Sequence, residues 1–250
     1  MKIGIIGFGS LGRSLALGLR QSGFSEDIFV CESSPEVREL AQCEPFCAQV
    51  SDDVNFVARN SDVIFLVVKY HVFEKLAPVI DRDALAGKTV VSFMAGMTIP
   101  DIAALIGDGA EIVRAMPSIA IAVCDGVIGY TKAPSEVVDI FRKLGLAFEV
   151  EPQDIRKVMA FAGCGPGLAA NLLDAFAQAG ATMGFSPEDC AKITALTFKS
   201  VIDRDTSFKD TVKAVATPGG ATEQGVLHME QSGVRDILAE AMRKAYDQMV

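Results

Sequence analysis

Lys2-Ile3-Gly4-Ile5-Ile6-Gly7-Phe8-Gly9-Ser10-Leu11-Gly12 decides the fold. A β-branched run stops at a glycine, G-x-G-x-x-G fills Gly7 to Gly12, and Leu11, Leu15 and Leu19 recur at helical spacing as far as Gln21. Strand, glycine turn and helix in immediate succession are the setting in which this motif holds a dinucleotide. Gly7 permits the tight turn, Gly9 lets backbone N–H groups approach a pyrophosphate, and Gly12 lets the helix pack close to the strand. The helix start adds partial positive charge. Phe8, Ser10 and Leu11 complete the loop and join the glycines as cofactor-binding candidates.

Working outward, Ile28 to Cys31 reads as a second strand, ending at Glu32. An acid about 20 residues beyond the loop accepts from an adenine-ribose 2′-OH and repels a 2′-phosphate, which favours NAD. Ser33 and Ser34 follow with hydroxyls that suit a phosphate, and Arg38 lies one turn further on, so NAD and NADP both stand as cofactors. Asp62 to Val68, Thr89 to Phe93, Glu111 to Arg114, Val127 to Tyr130 and Ala147 to Val150 supply further strands, most of them separated by helical stretches. That alternation predicts a mainly parallel Rossmann-type sheet with right-handed crossovers. After Glu151-Pro152-Gln153-Asp154 the strand signals stop, and Val158 to Met183, Pro187 to Ile202, Phe208 to Val215 and Val234 to Met249 read as helices. The expected organisation is an α/β dinucleotide-binding domain over 1–152 and an all-helical domain over 153–250.

The 250 residues are half hydrophobic and carry a net charge of −9, which suits a large core and opposes a nucleic-acid or anionic-membrane partner. No run of about 18 apolar residues suggests a membrane span, and no leader is read before the first strand. Six cysteines without nearby histidines read as reduced thiols of a cytoplasmic protein, with no metal site. With only two histidines, His71 and His228, no hydrolytic triad or zinc motif can be assembled. His71 follows a strand where a Rossmann loop faces its cofactor, although a surface loop position suits it better. Hydride transfer to a C=N bond needs little acid–base equipment, whereas alcohol oxidation needs a proton acceptor, so the shortage of bases points to imine reduction. In the helical half, Ala216-Thr217-Pro218-Gly219-Gly220-Ala221-Thr222-Glu223 breaks the periodicity. Thr222 is placed to cap the segment that follows, and the exposed N–H groups suit a substrate carboxylate; an ordinary interhelical turn fits the spacing too.

Taken together, several strings resemble the pyrroline-5-carboxylate reductase family: Gly7 to Gly12, Phe65-Leu66-Val67-Val68-Lys69, Ser92-Phe93-Met94-Ala95-Gly96, Arg114-Ala115-Met116-Pro117, Gly163-Cys164-Gly165-Pro166 and Thr217-Pro218-Gly219-Gly220-Ala221-Thr222. The resemblance implies NAD(P)H-dependent reduction of 1-pyrroline-5-carboxylate to L-proline. It also implies a helical half that interlocks two chains, active sites formed between them, and a homodimer or a ring of dimers. Thr217, Gly220, Ala221 and Thr222 would hold the substrate's carboxylate and ring nitrogen, with Thr222 the catalytic hydroxyl. Val68, Lys69 and Ala95 would line the nicotinamide half of the cofactor. The sequence departs from the family's pattern at Tyr70 and, with fewer polar groups, at Ser118-Ile119-Ala120 and at Ala162 and Cys164. A different-substrate or non-catalytic relative that binds NAD(P) is therefore the alternative. A 3-hydroxyacid dehydrogenase of similar layout is opposed by Ala169, which stands where those enzymes place a lysine.

Overall fold

The computed structural model describes residues 1–47 and 49–248, which divide into two compact units. The first is Met1–Gly163 with the C-terminal residues from Tyr246; the second is Cys164–Ala245.

Among the described residues the first unit is built on eight strands. They are β1 Ile3–Ile6, β2 Ile28–Cys31, β3 Gln49–Ser51, β4 Val63–Leu66, β5 Thr89–Ser92, β6 Glu111–Pro117, β7 Gly126–Tyr130 and β8 Gly145–Glu149. They lie in the order β3-β2-β1-β4-β5-β6-β7-β8. Every pairing is parallel except β6 with β7. Helices α1 Ser10–Gln21, α2 Pro35–Cys43, α3 Val54–Asn60, α4 Tyr70–Leu76, α5 Ile99–Ile106 and α6 Ser135–Lys143 supply the crossovers. β1, β2, β4 and β5 are buried at every position, because helices cover both faces of a parallel sheet. Side chains alternate between those faces. Ile3, Ile5 and Phe65 join α1 and α6 in one core layer, and Ile6, Ile64 and Leu66 join α3, α4 and α5 in the other.

The expected Rossmann architecture is present, with three differences of detail. β3 is a short edge strand whose Gln49-Val50-Ser51 carries no apolar run. The first unit also continues past residue 152. α7 Ile155–Val158 packs on the sheet through Ile155 and Val158 against Met116, and Gly129 supplies the gap that Val158 fills. The division thus falls at Gly163, after a π-helical turn over Met159–Gly163. Finally, Pro152–Thr182 is long and apolar enough to cross a membrane by length and composition, where the sequence reading found no such run.

The second unit comprises α8 Gly165–Thr182, α9 Pro187–Ile202, α10 Phe208–Val215, α11 Ala221–Gln231 and most of α12 Val234–Asp247. α8 and α9 meet through an edge-to-face pair, Phe176 and Phe198, with ring centroids 5.4 Å apart. Cys190, Thr194 and Thr211 are buried, while α8, α11 and α12 bury no described residue. Phe176, Leu196 and Phe208 stay exposed, large apolar side chains that a contact with another molecule would cover. The last predicted helix reached Met249, which lies outside the described residues.

Candidate functional site

The strand order reverses beside β1, where β2 lies on one side and β4 on the other. In open parallel sheets ligands bind outside the carboxyl ends of the strands at such a switch point. Two clefts open there. One, about 470 Å³, is lined by Gly7, Gly9, Glu32, Ser33, Asp52, Val68 and Lys69 among others. The second, about 400 Å³, is lined by Leu11, Val68, Lys69, Tyr70, His71, Phe93 and Ala95. Val67, Val68 and Lys69 border both.

The three loop glycines do different work. Gly7 has φ +98°, the left-handed region, and a Cβ there would lie 2.5 Å from the Val67 carbonyl oxygen. A Cβ on Gly12 would overlap the Gly7 carbonyl. A Cβ on Gly9 would meet nothing within 4 Å, so Gly9 faces the open cleft. Gly9 also starts α1 with no side-chain cap, and the amides of Gly9, Ser10 and Leu11 have no acceptor among the described residues. Free amides at a helix start suit an anion.

Phe8 and Ser34 occupy other roles. The Phe8 ring is buried in the core, and its amide donates to Glu32 Oε2 at 2.8 Å, so it is not free for a phosphate. The Ser34 amide donates to Glu32 Oε1 at 2.9 Å. Its hydroxyl caps α2 by accepting from the Val37 amide, and donates to Glu36 at 2.7 Å. Glu32 is thus fixed at the rim by two backbone donors. Asp52, Tyr70 and Cys31 were not among the expected site residues. Asp52 and Cys31 line the first cleft and Tyr70 the second. Burial, reinforced by Glu32, Asp53 and Asp52, pushes the Cys31 thiol up to about 11, so it stays protonated. At the far end of β5, Ser92 accepts from the Met94 amide at 3.2 Å and shapes the turn to Ala95. Beside it, Arg114 is buried with its Nε lacking an acceptor among the described residues.

The remaining candidates, Thr217, Gly220, Ala221 and Thr222, lie together in the second unit at the start of α11. The N-cap is Gly220, not Thr222, which falls at the second helical position. Gly219 makes the entry with φ +75°, and Glu223 reaches back to accept from its amide at 2.7 Å. The Gly220 amide donates to the Thr217 carbonyl at 2.9 Å. This leaves the amides of Ala221, Thr222 and Glu223 without an acceptor among the described residues, beside the exposed Thr217 and Thr222.

Comparison with known proteins matches this arrangement at both ends. Residues 152–250 match the family model described as pyrroline-5-carboxylate reductase dimerisation, and residues 2–96 the one described as NADP oxidoreductase, coenzyme F420-dependent. The pyrroline-5-carboxylate reductase of Aquifex aeolicus is 29% identical over 98% of this chain and 94% of its own length. A solved pyrroline-5-carboxylate reductase from Coxiella burnetii is 26% identical with a TM-score of 0.87, covering 99% of this chain and 96% of that one. The NADP-bound pyrroline carboxylate reductase of Plasmodium falciparum is 23% identical and shares the fold with a TM-score of 0.87, over 100% of this chain and 97% of that one. With a Rossmann-type unit, a helical region matching the dimerisation model and matches running nearly end to end, the chain is similar to the pyrroline-5-carboxylate reductases along almost its whole length.

Proposed function

We propose that this protein reduces 1-pyrroline-5-carboxylate to L-proline, a step of proline biosynthesis, with NAD(P)H as reductant. The observation that carries the reading is the pair of unsatisfied amide cradles, Gly9 to Leu11 and Ala221 to Glu223, within a chain similar to this family. The first unit takes the dinucleotide: Gly9, Ser10 and Leu11 donate to its pyrophosphate, Glu32 accepts from the adenine ribose, and Val68, Lys69 and Ala95 line the nicotinamide end. When bound, the cofactor supplies a hydride. The second unit takes the substrate: the α11 amides and the Thr217 hydroxyl hold its carboxylate. Thr222 hydrogen-bonds the ring nitrogen, keeping the protonated C=N bond polarised toward its carbon. The ring nitrogen takes the electron pair of the C=N bond and keeps its proton, so no separate proton donor is required.

The apolar faces of α8 to α12 serve a second copy of the chain, and the apolar stretch Pro152–Thr182, which lies within the residues matching the dimerisation model, meets protein instead of lipid. The working form is a homodimer or a ring of dimers in the cytoplasm. Purified protein should oxidise NADH or NADPH only when pyrroline-5-carboxylate is added. Cofactor binding with no imine-dependent oxidation at high enzyme concentration would overturn the assignment and favour the non-catalytic relative, for which the sparser polar groups at Ser118 to Ala120 and at Cys164 are the support.

A further inference from the structure

The rim of the dinucleotide cleft carries a charge arrangement that the sequence left open. Glu32 is pinned by the amides of Phe8 and Ser34 at 2.8 and 2.9 Å. Its carboxylate cannot swing away without giving up both bonds, one of which also fixes the glycine loop. Arg38, the cation that could greet a phosphate, is already engaged. Its Nη1 donates to the Glu32 carbonyl oxygen at 3.1 Å and pairs with Asp52 at 3.3 Å. The Ser34 hydroxyl is spent on the α2 cap and on Glu36. A ligand group arriving beyond β2 therefore meets the carboxylates of Glu32 and Asp52, both lining the cleft, with the guanidinium held between acid and backbone. A ribose hydroxyl donates to such a carboxylate; a phosphate dianion is repelled by it.

We propose that the protein selects NADH over NADPH, with Glu32 as the specificity-determining residue and Asp52 as the residue that withholds Arg38 from a 2′-phosphate. This rests on the dinucleotide reading of the cleft given above. The test is direct binding to the full-length protein, followed by fluorescence of the reduced nicotinamide. NADH and NADPH are titrated in parallel with the non-reducing pair ADP-ribose and 2′-phospho-ADP-ribose. NADH should bind at least about tenfold tighter than NADPH, the same order should hold for the second pair, and raising salt should narrow both gaps because the discrimination is electrostatic. Asp52→Asn should strengthen NADPH several-fold relative to NADH. Glu32→Ser should invert the preference. Glu32→Gln, which keeps an amide acceptor for the Phe8 N–H, should reduce it even if the serine variant loses the loop's shape. Equal or tighter binding of NADPH by the unmodified protein overturns the selectivity and leaves the dinucleotide reading standing. Binding of neither overturns both.

Discussion

Gly9→Ala and Gly12→Ala add the same methyl group three residues apart, and the structure assigns them opposite consequences. At Gly9 the new Cβ meets nothing within 4 Å, and the backbone, at φ −67° and ψ −167°, is open to alanine. Restricting the unfolded chain stabilises by about 0.4–1 kcal/mol, whereas alanine is a poorer N-cap than glycine by a similar amount. The two cancel, and Tm without ligand should stay within about 3 °C of the parent at about 2–4 °C per kcal/mol. The same methyl occupies the cradle in front of the Gly9 to Leu11 amides, so dinucleotide affinity should fall at least tenfold, about 1.4 kcal/mol. At Gly12 the Cβ lands on the Gly7 carbonyl oxygen and sits 3.1 Å from its carbon, backbone atoms that cannot rotate aside. Overpacking of that kind costs about 3 kcal/mol, or a Tm lower by about 6–12 °C. Scanning calorimetry without ligand and a fluorescence titration with reduced dinucleotide read the two quantities separately. If Gly9→Ala melts as early as Gly12→Ala, or binds as tightly as the parent, the division of labour within the loop is refuted.

Thr222→Ala should lower kcat/KM about 10- to 100-fold by removing one hydrogen bond to the reacting ring, while dinucleotide affinity is unchanged; equal turnover would remove Thr222 from the site. Phe176→Glu with Leu196→Glu should convert a dimer or larger assembly into a 26.5 kDa species in light scattering, and an unchanged mass would place the interface elsewhere. A short pulse of alkylating reagent at pH 8 should modify the exposed Cys43 and spare Cys31 and Cys47, which mass spectrometry reads by peptide. Burial holds Cys31 at about 11 and, helped by Glu44, Cys47 at about 12. Both values lie above the ordinary thiol value of 9.0. The folded state therefore favours the protonated thiols, and their contribution to stability, full below pH 9, should be lost as pH rises from there through about 11 and 12. Denaturant titrations showing no decline across that range would contradict it.

The parallel sheet was legible because β1, β2 and β4 carry no charged or hydroxyl residue, as strands covered on both faces do. β3 was not: at a sheet edge, Gln49-Val50-Ser51 needs no apolar face, and its neighbour Asp52 went unnoticed with it. α11 hid for a different reason. Its Ala221 to Gln231 carries Gly225 and buries nothing within one chain, so it shows no amphipathic period. The glycine loop announced its shape, yet the partner of its Phe8 amide sits 24 residues away, just beyond the end of β2, a pairing no local pattern encodes. Thr222 looked like a cap because threonine often is one; the left-handed Gly219 moved the helix start back to Gly220.

The second unit's scarcity of interior has a thermodynamic consequence. With three buried residues among its long helices, most of its favourable solvation energy waits on contact with another molecule. Its folding is then a mass-action equilibrium: melting temperature should climb with protein concentration, and dilution should loosen the helices of this half while the sheet persists.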